Sequence, residues 1–296
     1  MSHPSLIAVD WGTTGFRLWV LGSCGNTLAS IDGPFGMSNL EPCDFGRVLE
    51  ESLNDLGIGQ DVPAIICGMA GAAQGWCEAP YLSAPTRLDE LGAGAIRVSN
   101  ASREVRILPG VKQQSPANVM RGEETQIAGL LHLVSDFHGI VCLPGTHTKW
   151  VRVTDGAIIE FETCMTGEQF AFFSKASVLS HSMPDGGWSD CAFKAAIRFA
   201  TDDPSAVPRR LFAIRADMLV GKQTSAQARA TLSGLLIGQE LMAVRQYWRD
   251  QTVTLIGAPA LCELYLTALG IMGASGRAVE VSEMTLSGLT AAYQHQ

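Results

Sequence analysis

The chain has 296 residues, enough for two domains of ordinary size or one large one. Apolar residues make up 47% and charged residues 17%, against about 25% charged in an average globular chain, so a large core is available and intrinsic disorder is excluded. With 21 Lys and Arg against 29 Asp and Glu the net charge is -8, which argues against non-specific binding to nucleic acid or a membrane surface but leaves anionic small molecules open.

In chain order, Leu6–Asp10 reads as a short buried strand, followed by a Gly/Thr turn, Trp11–Gly15, and a second strand, Phe16–Leu21. Thr27–Ile31 reads as a third strand. Phe45–Leu56 has apolar residues at helical spacing and stops at Gly57. Ala64–Cys67 is a strand, residues 68–104 are mainly loop, and Val105–Leu108 closes this half. A helix starts near Glu123 and runs towards Ser135. The opening pattern then returns: strand Ile140–Leu143, Gly/Thr turn Pro144–Thr148, strand Lys149–Val153, strand Ala157–Phe161. Helices are expected over 168–181, 190–201, 208–220 and 225–249, then strand Thr252–Ile256, helix Cys262–Leu269, strand Ala278–Val281 and helix Leu286–Tyr293. A unit of this length repeated once predicts two α/β halves of similar topology and not a solenoid. The expected domains are 1–114 and 115–296.

No apolar run reaches the roughly 18 residues of a membrane span. The N-terminus lacks a basic region before its apolar stretch, which Asp10 interrupts, so the cytoplasm is the expected location. None of the eight cysteines forms a CxxC pair, which fits buried reduced thiols. The six histidines show no HExxH spacing, so a zinc site is not expected. There is no GxxxxGK[ST] loop and no GxSxG elbow, which sets aside P-loop and α/β-hydrolase chemistry.

Four segments carry chemistry. In Asp10-Trp11-Gly12-Thr13-Thr14-Gly15-Phe16-Arg17 the glycines permit a tight turn and close backbone approach to a ligand. Thr13 and Thr14 add hydroxyls to backbone N–H groups that can cradle phosphate, and Asp10 at a strand end can hold Mg²⁺. The bland alternative is a hairpin turn with a solvated aspartate. Pro144-Gly145-Thr146-His147-Thr148-Lys149 repeats the turn chemistry, with Thr146, Thr148 and Lys149 available to phosphate. Two such loops at equivalent places suit the two ends of a triphosphate. Arg121-Gly122-Glu123-Glu124-Thr125 opens a helix. It reads equally as a capping pair of carboxylates or as a general base beside an anion-binding Arg121. Gly257-Ala258-Pro259-Ala260 joins a strand to a helix, and its small residues let a flat ring lie against the backbone.

These segments resemble the 2-dehydro-3-deoxygalactonokinase family of the actin-like ATPase superfamily, which includes many sugar kinases. The resemblance runs along nearly the whole chain. It is carried by Asp10-Trp11-Gly12-Thr13-Thr14 with Arg17, Gly68-Met69-Ala70-Gly71 through Gly75-Trp76 to Ala79-Pro80-Tyr81-Leu82-Ser83, and Met120–Thr125. Pro144–His147 with Lys149-Trp150-Val151, Met165-Thr166-Gly167-Glu168 and Ser233–Gly238 complete it. The resemblance implies two duplicated ribonuclease H-like, actin-like ATPase domains with an interdomain cleft. It implies ATP and Mg²⁺ as cofactors and phosphorylation of the 6-hydroxyl of 2-dehydro-3-deoxy-D-galactonate during galactonate degradation. Gly12, Thr13, Thr14, Gly145, Thr146 and Lys149 would then bind phosphates, with Gly257 and Ala258 at the adenosine. The superfamily often has two adjacent glycines where this chain has Gly257-Ala258. Glu124 fits the place of the catalytic base, with Glu123 as runner-up, and Asp10 positions Mg²⁺. Arg17, Gly71, Trp76, Tyr81 and Arg121 are expected at the sugar acid, with Arg17 and Arg121 on its carboxylate or on the transferred phosphate. Glu168 is expected either there or as a helix cap. Partners are then small molecules, with no nucleic acid and no membrane, and a homo-oligomer is compatible with all of this. The alternatives are a kinase of another sugar or sugar acid, or a non-kinase ATP-binding module on the same fold.

Overall fold

The computed structural model describes residues 3–184 and 186–294. In chain order the elements are β1 (Pro4–Trp11), β2 (Phe16–Gly22), β3 (Thr27–Gly33), α1 (Asp44–Asp55), β4 (Ala64–Gly68), β5 (Tyr81–Ser83), β6 (Thr86–Arg87), β7 (Ile96–Arg97), β8 (Val105–Ile107), β9 (Gly110–Gln114), β10 (Ala117–Met120) and α2 (Glu123–Leu133). They continue with β11 (Gly139–Leu143), β12 (Thr148–Thr154), β13 (Ala157–Cys164), α3 (Thr166–Lys175), α4 (Asp190–Asp202), α5 (Val207–Leu219), α6 (Ser225–Ala243), α7 (Arg245–Trp248), β14 (Thr252–Gly257), α8 (Pro259–Ile271), β15 (Ser275–Glu280) and α9 (Val281–Gln294).

The contacts divide the chain into two units. The first comprises Met1–His138, Val153–Glu160 and Val281–Gln296, and the second Gly139–Arg152 and Phe161–Glu280. In the first, the sheet order is β3-β2-β1-β4-β8-β7. β1 pairs antiparallel with β2 and parallel with β4, so it is covered on both edges and its residues are apolar almost throughout. Ile7, Val9 and Trp11 project to one face, where they meet Phe45, Val48, Leu49 and Leu53 of α1 in one buried cluster. The 3.6-residue spacing of those four positions is what makes α1 a helix with one apolar stripe.

The second unit repeats the arrangement. Its strands run β15-β14-β11-β12-β13, the same order as β8-β4-β1-β2-β3 with each strand replaced by its counterpart. β14 pairs parallel with both β11 and β15. Ile140, Cys142, Val253 and Leu255 pack with Phe193 of α4, Ile237 of α6 and Tyr265 of α8. α4 and α6 approach closely because α6 carries glycine where they touch. A Cβ on Gly238 would stand 2.8 Å from that of Ala200, and one on Gly234 2.5 Å from the Phe193 carbonyl oxygen.

The structure differs from the sequence-based expectation at several places. Residues 68–104 contain β5, β6 and β7, too short to leave a periodic signal. The hairpin β9–β10 is new, with Val119 paired to Lys112 and Met120 to Val111. The helix expected over 168–181 ends at Lys175, and Ser177 then accepts from the Leu179 N–H to start a 3₁₀ turn. The helix expected over 225–249 breaks at Val244. The contacts also divide the chain elsewhere than at 114, because α2 and the final helix α9 pack on each other within the first unit. Among the described residues no helix is long and apolar enough to cross a membrane.

Candidate active site

In the first unit the β1–β2 turn closes through a hydrogen bond from the Gly12 N–H to the Gly15 carbonyl, 2.9 Å. The next segment grips the turn from outside. Met37 N–H donates to the Gly12 carbonyl at 3.0 Å and Ser38 N–H to the Thr13 carbonyl at 2.9 Å. Gly36 permits this, since a Cβ there would run into the Thr13 and Thr14 backbone. With its carbonyls held, the turn leaves Thr13, Thr14 and Gly15 exposed. They line a hollow of about 370 Å³ with Asp10, Gly12, Arg17 and Asp32.

Asp10 lies opposite Arg17 in the β1–β2 register and opposite Cys67 in the β1–β4 register. Its Oδ2 accepts from Arg17 Nη2 at 2.5 Å and its Oδ1 from the Cys67 thiol at 3.8 Å. Cys67 is buried. Burial pushes its pKa well above the usual thiol value, and the charges of Asp10 and Glu124 push it further.

Glu124 belongs to the first turn of α2, where the backbone N–H groups lack helical partners. Both of its carboxylate oxygens accept from the Gly122 N–H at 2.8 Å, and Thr125 Oγ1 donates to Oε1 at 3.2 Å. Gly122 has φ 109°, a backbone suited to glycine, and lies over Gly68 at the end of β4. Glu124 is 1% exposed. Burial, and then the neighbouring Glu123 charge, raise its pKa from 4.5 to about 7. Glu123 is half-buried, and its Oε2 accepts from the Arg121 N–H at 3.0 Å.

The Arg121 side chain lies over the Tyr81 ring, 4.2 Å from its centroid, and Nη2 donates to the Ala79 carbonyl at 2.9 Å. A Cβ on Gly71 would stand 2.8 Å from Nη1, so Gly71 makes room for the guanidinium. Among the described residues, Arg121 Nε and Nη1 find no hydrogen-bond partner. Trp76 stacks on Phe45 with centroids 6.3 Å apart and meets Trp11 edge-on, which makes it a wall of the core.

The second unit holds the other loop. Gly145 has open space around it, and Thr146 is exposed. Two glycines press on this loop. A Cβ on Gly257 would stand 3.1 Å from the Pro144 carbonyl oxygen, and one on Gly167 would clash with the Gly145 carbonyl and stand 2.8 Å from Thr146 Cα. The Glu168 N–H donates to the Thr146 carbonyl at 2.9 Å, and its carboxylate meets His147 Nε2 at 2.5 Å. Glu168 thus sits against loop residues. Lys149, expected to reach phosphate, is 5% exposed, and its Nζ donates to Thr163 on β13 at 2.9 Å. Ala258 is the exposed residue that starts α8.

Glu240 of α6, with Thr166 and Tyr265 around it, escaped the sequence reading, as did Cys67. A signal existed for Glu240: it is a carboxylate inside an apolar helical run, Leu232–Leu241. It is 4% exposed and raised by burial from 4.5 to about 6.

A family model described as 2-keto-3-deoxy-galactonokinase matches residues 10–292. The chain belongs to the 2-keto-3-deoxy-galactonokinase family. It is 40% identical over 292 residues to a Rhizobium meliloti protein named as a 2-dehydro-3-deoxygalactonokinase, covering 96% of this chain and 95% of the relative. It is 33% identical over 276 residues to the 2-dehydro-3-deoxygalactonokinase of Escherichia coli, covering 92% of each. A Sinorhizobium meliloti crystal structure described as a 2-dehydro-3-deoxygalactonokinase superposes with a TM-score of 0.92 at 38% identity, covering 98% of both chains. At the level of fold alone, the ADPNP-bound activator of a Clostridium difficile 2-hydroxyisocaproyl-CoA dehydratase matches with a TM-score of 0.54 at 13% identity, over 99% of this chain and 94% of that one. The duplicated sheet order and this likeness make the fold that of the actin-like ATPases. Family membership makes the chain a sugar-acid kinase that uses ATP, as the 2-keto-3-deoxy-galactonokinases do.

Proposed function

We propose that the chain transfers the γ-phosphoryl group of ATP to the 6-hydroxyl of 2-dehydro-3-deoxy-D-galactonate, with Glu124 as the base that takes the hydroxyl proton. The hydroxyl oxygen forms a bond to the γ-phosphorus, the bond from that phosphorus to the bridging oxygen of ADP breaks, and the proton passes to Glu124. The observation that carries this reading is the state of Glu124: a buried carboxylate at a helix start, bonded to the Gly122 N–H and Thr125 Oγ1, with a pKa raised to about 7. A base works best when its pKa lies near the working pH. Glu123 holds the Arg121 N–H and is only half-buried, so it lacks the burial that raises Glu124.

The first loop would receive phosphate on Gly12, Thr13 and Thr14, and the second on Gly145 and Thr146. Gly257 and Ala258 would stand beside the adenosine. Phosphoryl transfer relies on positioning and charge neutralisation more than on covalent help from the protein. Arg17 and Arg121 would supply positive charge, to the transferred phosphate and the substrate carboxylate respectively. Arg121 suits the carboxylate because Tyr81 and Gly71 fix its plane.

The donor set also fits magnesium. Among the described residues no group of three or more His, Cys, Asp and Glu side chains stands ready to hold a metal ion. Asp10 offers a single carboxylate, one oxygen of which accepts from a thiol at 3.8 Å while the other is held by Arg17. Magnesium commonly binds through one or two carboxylates and keeps waters and nucleotide oxygens as its other ligands. Bound there, it would neutralise charge on the phosphates.

The test is an ADP-release assay over a panel of 2-keto-3-deoxy sugar acids and neutral sugars, with phosphorus NMR of the product. ADP formation dependent on 2-dehydro-3-deoxy-D-galactonate and a phosphate ester at the 6-position are expected. ADP release indifferent to any sugar acid rejects the proposal.

A further inference from the structure

Glu240 accepts three hydrogen bonds. Trp150 Nε1 donates to Oε1 at 2.7 Å, Tyr265 OH donates to Oε2 at 2.8 Å, and Thr166 Oγ1 donates to Oε2. Tyr265 OH lies 3.0 Å from Thr148 Oγ1. Because the tyrosine proton goes to Glu240, the threonine hydroxyl donates to the tyrosine oxygen, and the chain of bonds runs one way. The partners are an indole, a phenol and a hydroxyl, none of them cationic. A buried carboxylate compensated only by neutral donors is costly compared with a hydrocarbon of the same shape. Its use lies in the geometry it imposes.

That geometry surrounds the second phosphate loop. Thr148 and Trp150 are on β12, which leaves the loop. Thr166 opens α3, and the next residue, Gly167, presses on Gly145 and Thr146. Tyr265 is on α8, which starts beside Gly257, the glycine against Pro144. One carboxylate on α6 therefore ties together the three elements that bound the loop. An ionised carboxylate only accepts, so it fixes the direction of every hydroxyl around it.

We propose that Glu240 is a positioning residue that holds the Gly145-Thr146 loop in the shape that binds nucleotide phosphate. This rests on the reading of that loop as a phosphate loop. Glu240 touches neither nucleotide nor sugar acid and acts through Thr148 and Thr166.

The test compares the wild-type enzyme with Glu240→Gln and Tyr265→Phe, by steady-state kinetics and by the Kd of a non-hydrolysable ATP analogue measured without sugar acid. Glutamine presents an N–H₂ where Thr166 and Tyr265 now donate, so at least one bond reverses. Both the KM for ATP and the analogue Kd should rise about tenfold in Glu240→Gln, the scale on which partners of a ligand-holding group usually act. Tyr265→Phe should shift them the same way by less, and the KM for the sugar acid should stay within twofold. Thr166→Ser keeps the hydroxyl and should restore what Thr166→Val loses. A merely structural carboxylate would lower the melting temperature and the active fraction while the ATP KM and analogue Kd stayed at wild type, and that result overturns the proposal. Should Glu240→Gln not fold, Tyr265→Phe and Thr166→Val decide the matter by the same readout. A wild-type enzyme that binds the analogue but leaves 2-dehydro-3-deoxy-D-galactonate untouched refutes the substrate assignment and supports the loop. One that fails to bind the analogue overturns the loop reading and this inference with it.

Discussion

Gly129 of α2 lies against Gly288 of α9 with no room for a side chain on either. A Cβ on Gly129 would stand 2.8 Å from the Gly288 nitrogen, and one on Gly288 3.0 Å from the Gly129 nitrogen, with the carbonyl oxygens of Met284 and Thr125 nearer still. The obstructing atoms are backbone, so no rotamer change relieves them. α2 is also the helix that begins with Glu123 and Glu124, and its seat on α9 fixes where those carboxylates lie. Gly129→Ala and Gly288→Ala should each destabilise the fold by on the order of 3 kcal/mol, the upper end of ordinary overpacking. Thermal denaturation measures it. Wild-type midpoints for both variants are incompatible with this helix pairing.

Asp10→Asn should keep the fold and lower magnesium-dependent turnover. The side chain is nearly isosteric, so no cavity opens, but the amide has no charge for Arg17 Nη2, now 2.5 Å from Oδ2, or for a metal ion. Titrating magnesium should show a weaker dependence and a reduced ceiling. Equal turnover for variant and wild type at saturating magnesium would remove Asp10 from the metal site.

Periodicity made the central strands and most helices legible, because β4 and β11 are continuous apolar runs and β1 and β14 are largely apolar between turn residues. The Gly/Thr turns were legible because glycine and threonine there have a backbone and phosphate reason together. What the sequence hid was long-range or atypical. The strands β5, β6 and β7 have two or three residues each and take their shape from their neighbours. Trp76 reads like a binding aromatic, yet its partners are Phe45 and Trp11. Lys149 reads like a phosphate ligand, but its strand position turns it to Thr163. Gly167 looked like part of a family motif, and only the fold shows that it makes room for a loop about twenty residues earlier.

Gly167→Ala should distort the second loop. A methyl group there meets the Gly145 carbonyl and the Thr146 Cα, and the loop must move because α3 is anchored by its helix. Displacements of about 1 Å at a positioning element can cost on the order of a hundredfold in rate. The effect should appear chiefly in kcat/KM for ATP. Gly145→Ala is the contrast for stability, since nothing lies within 4 Å of its would-be Cβ, and it should melt like wild type. If Gly167→Ala matches wild type in kcat/KM for ATP, the packing of Gly167 does not shape the loop.

Glu124 should set both the pH dependence of turnover and part of that of stability. Its pKa is about 7 when folded and returns to 4.5 on unfolding, because burial and the Glu123 charge are then lost. Between those values the folded chain holds a proton that the unfolded chain has released. The stability associated with protonated Glu124 is therefore complete below about pH 4.5, declines as pH rises towards 7, and is gone above it. The span is about 3 kcal/mol at most. Turnover runs the other way. The base is ionised only above about pH 7, so kcat should climb through that region and level off. Glu124→Gln should remove both trends. It should be at least as stable as wild type at pH 8, where the buried charge no longer has to be accommodated. Its kcat should fall by about 10²–10⁴, the usual contribution of a general base, with little change in either KM. Glu123→Gln keeps an oxygen for the Arg121 N–H but loses its charge, so it should cost on the order of 1 kcal/mol in stability and keep most of its rate. A silent Glu123→Gln beside an active Glu124→Gln would exchange the two roles. Normal turnover in both would mean that neither glutamate takes the proton.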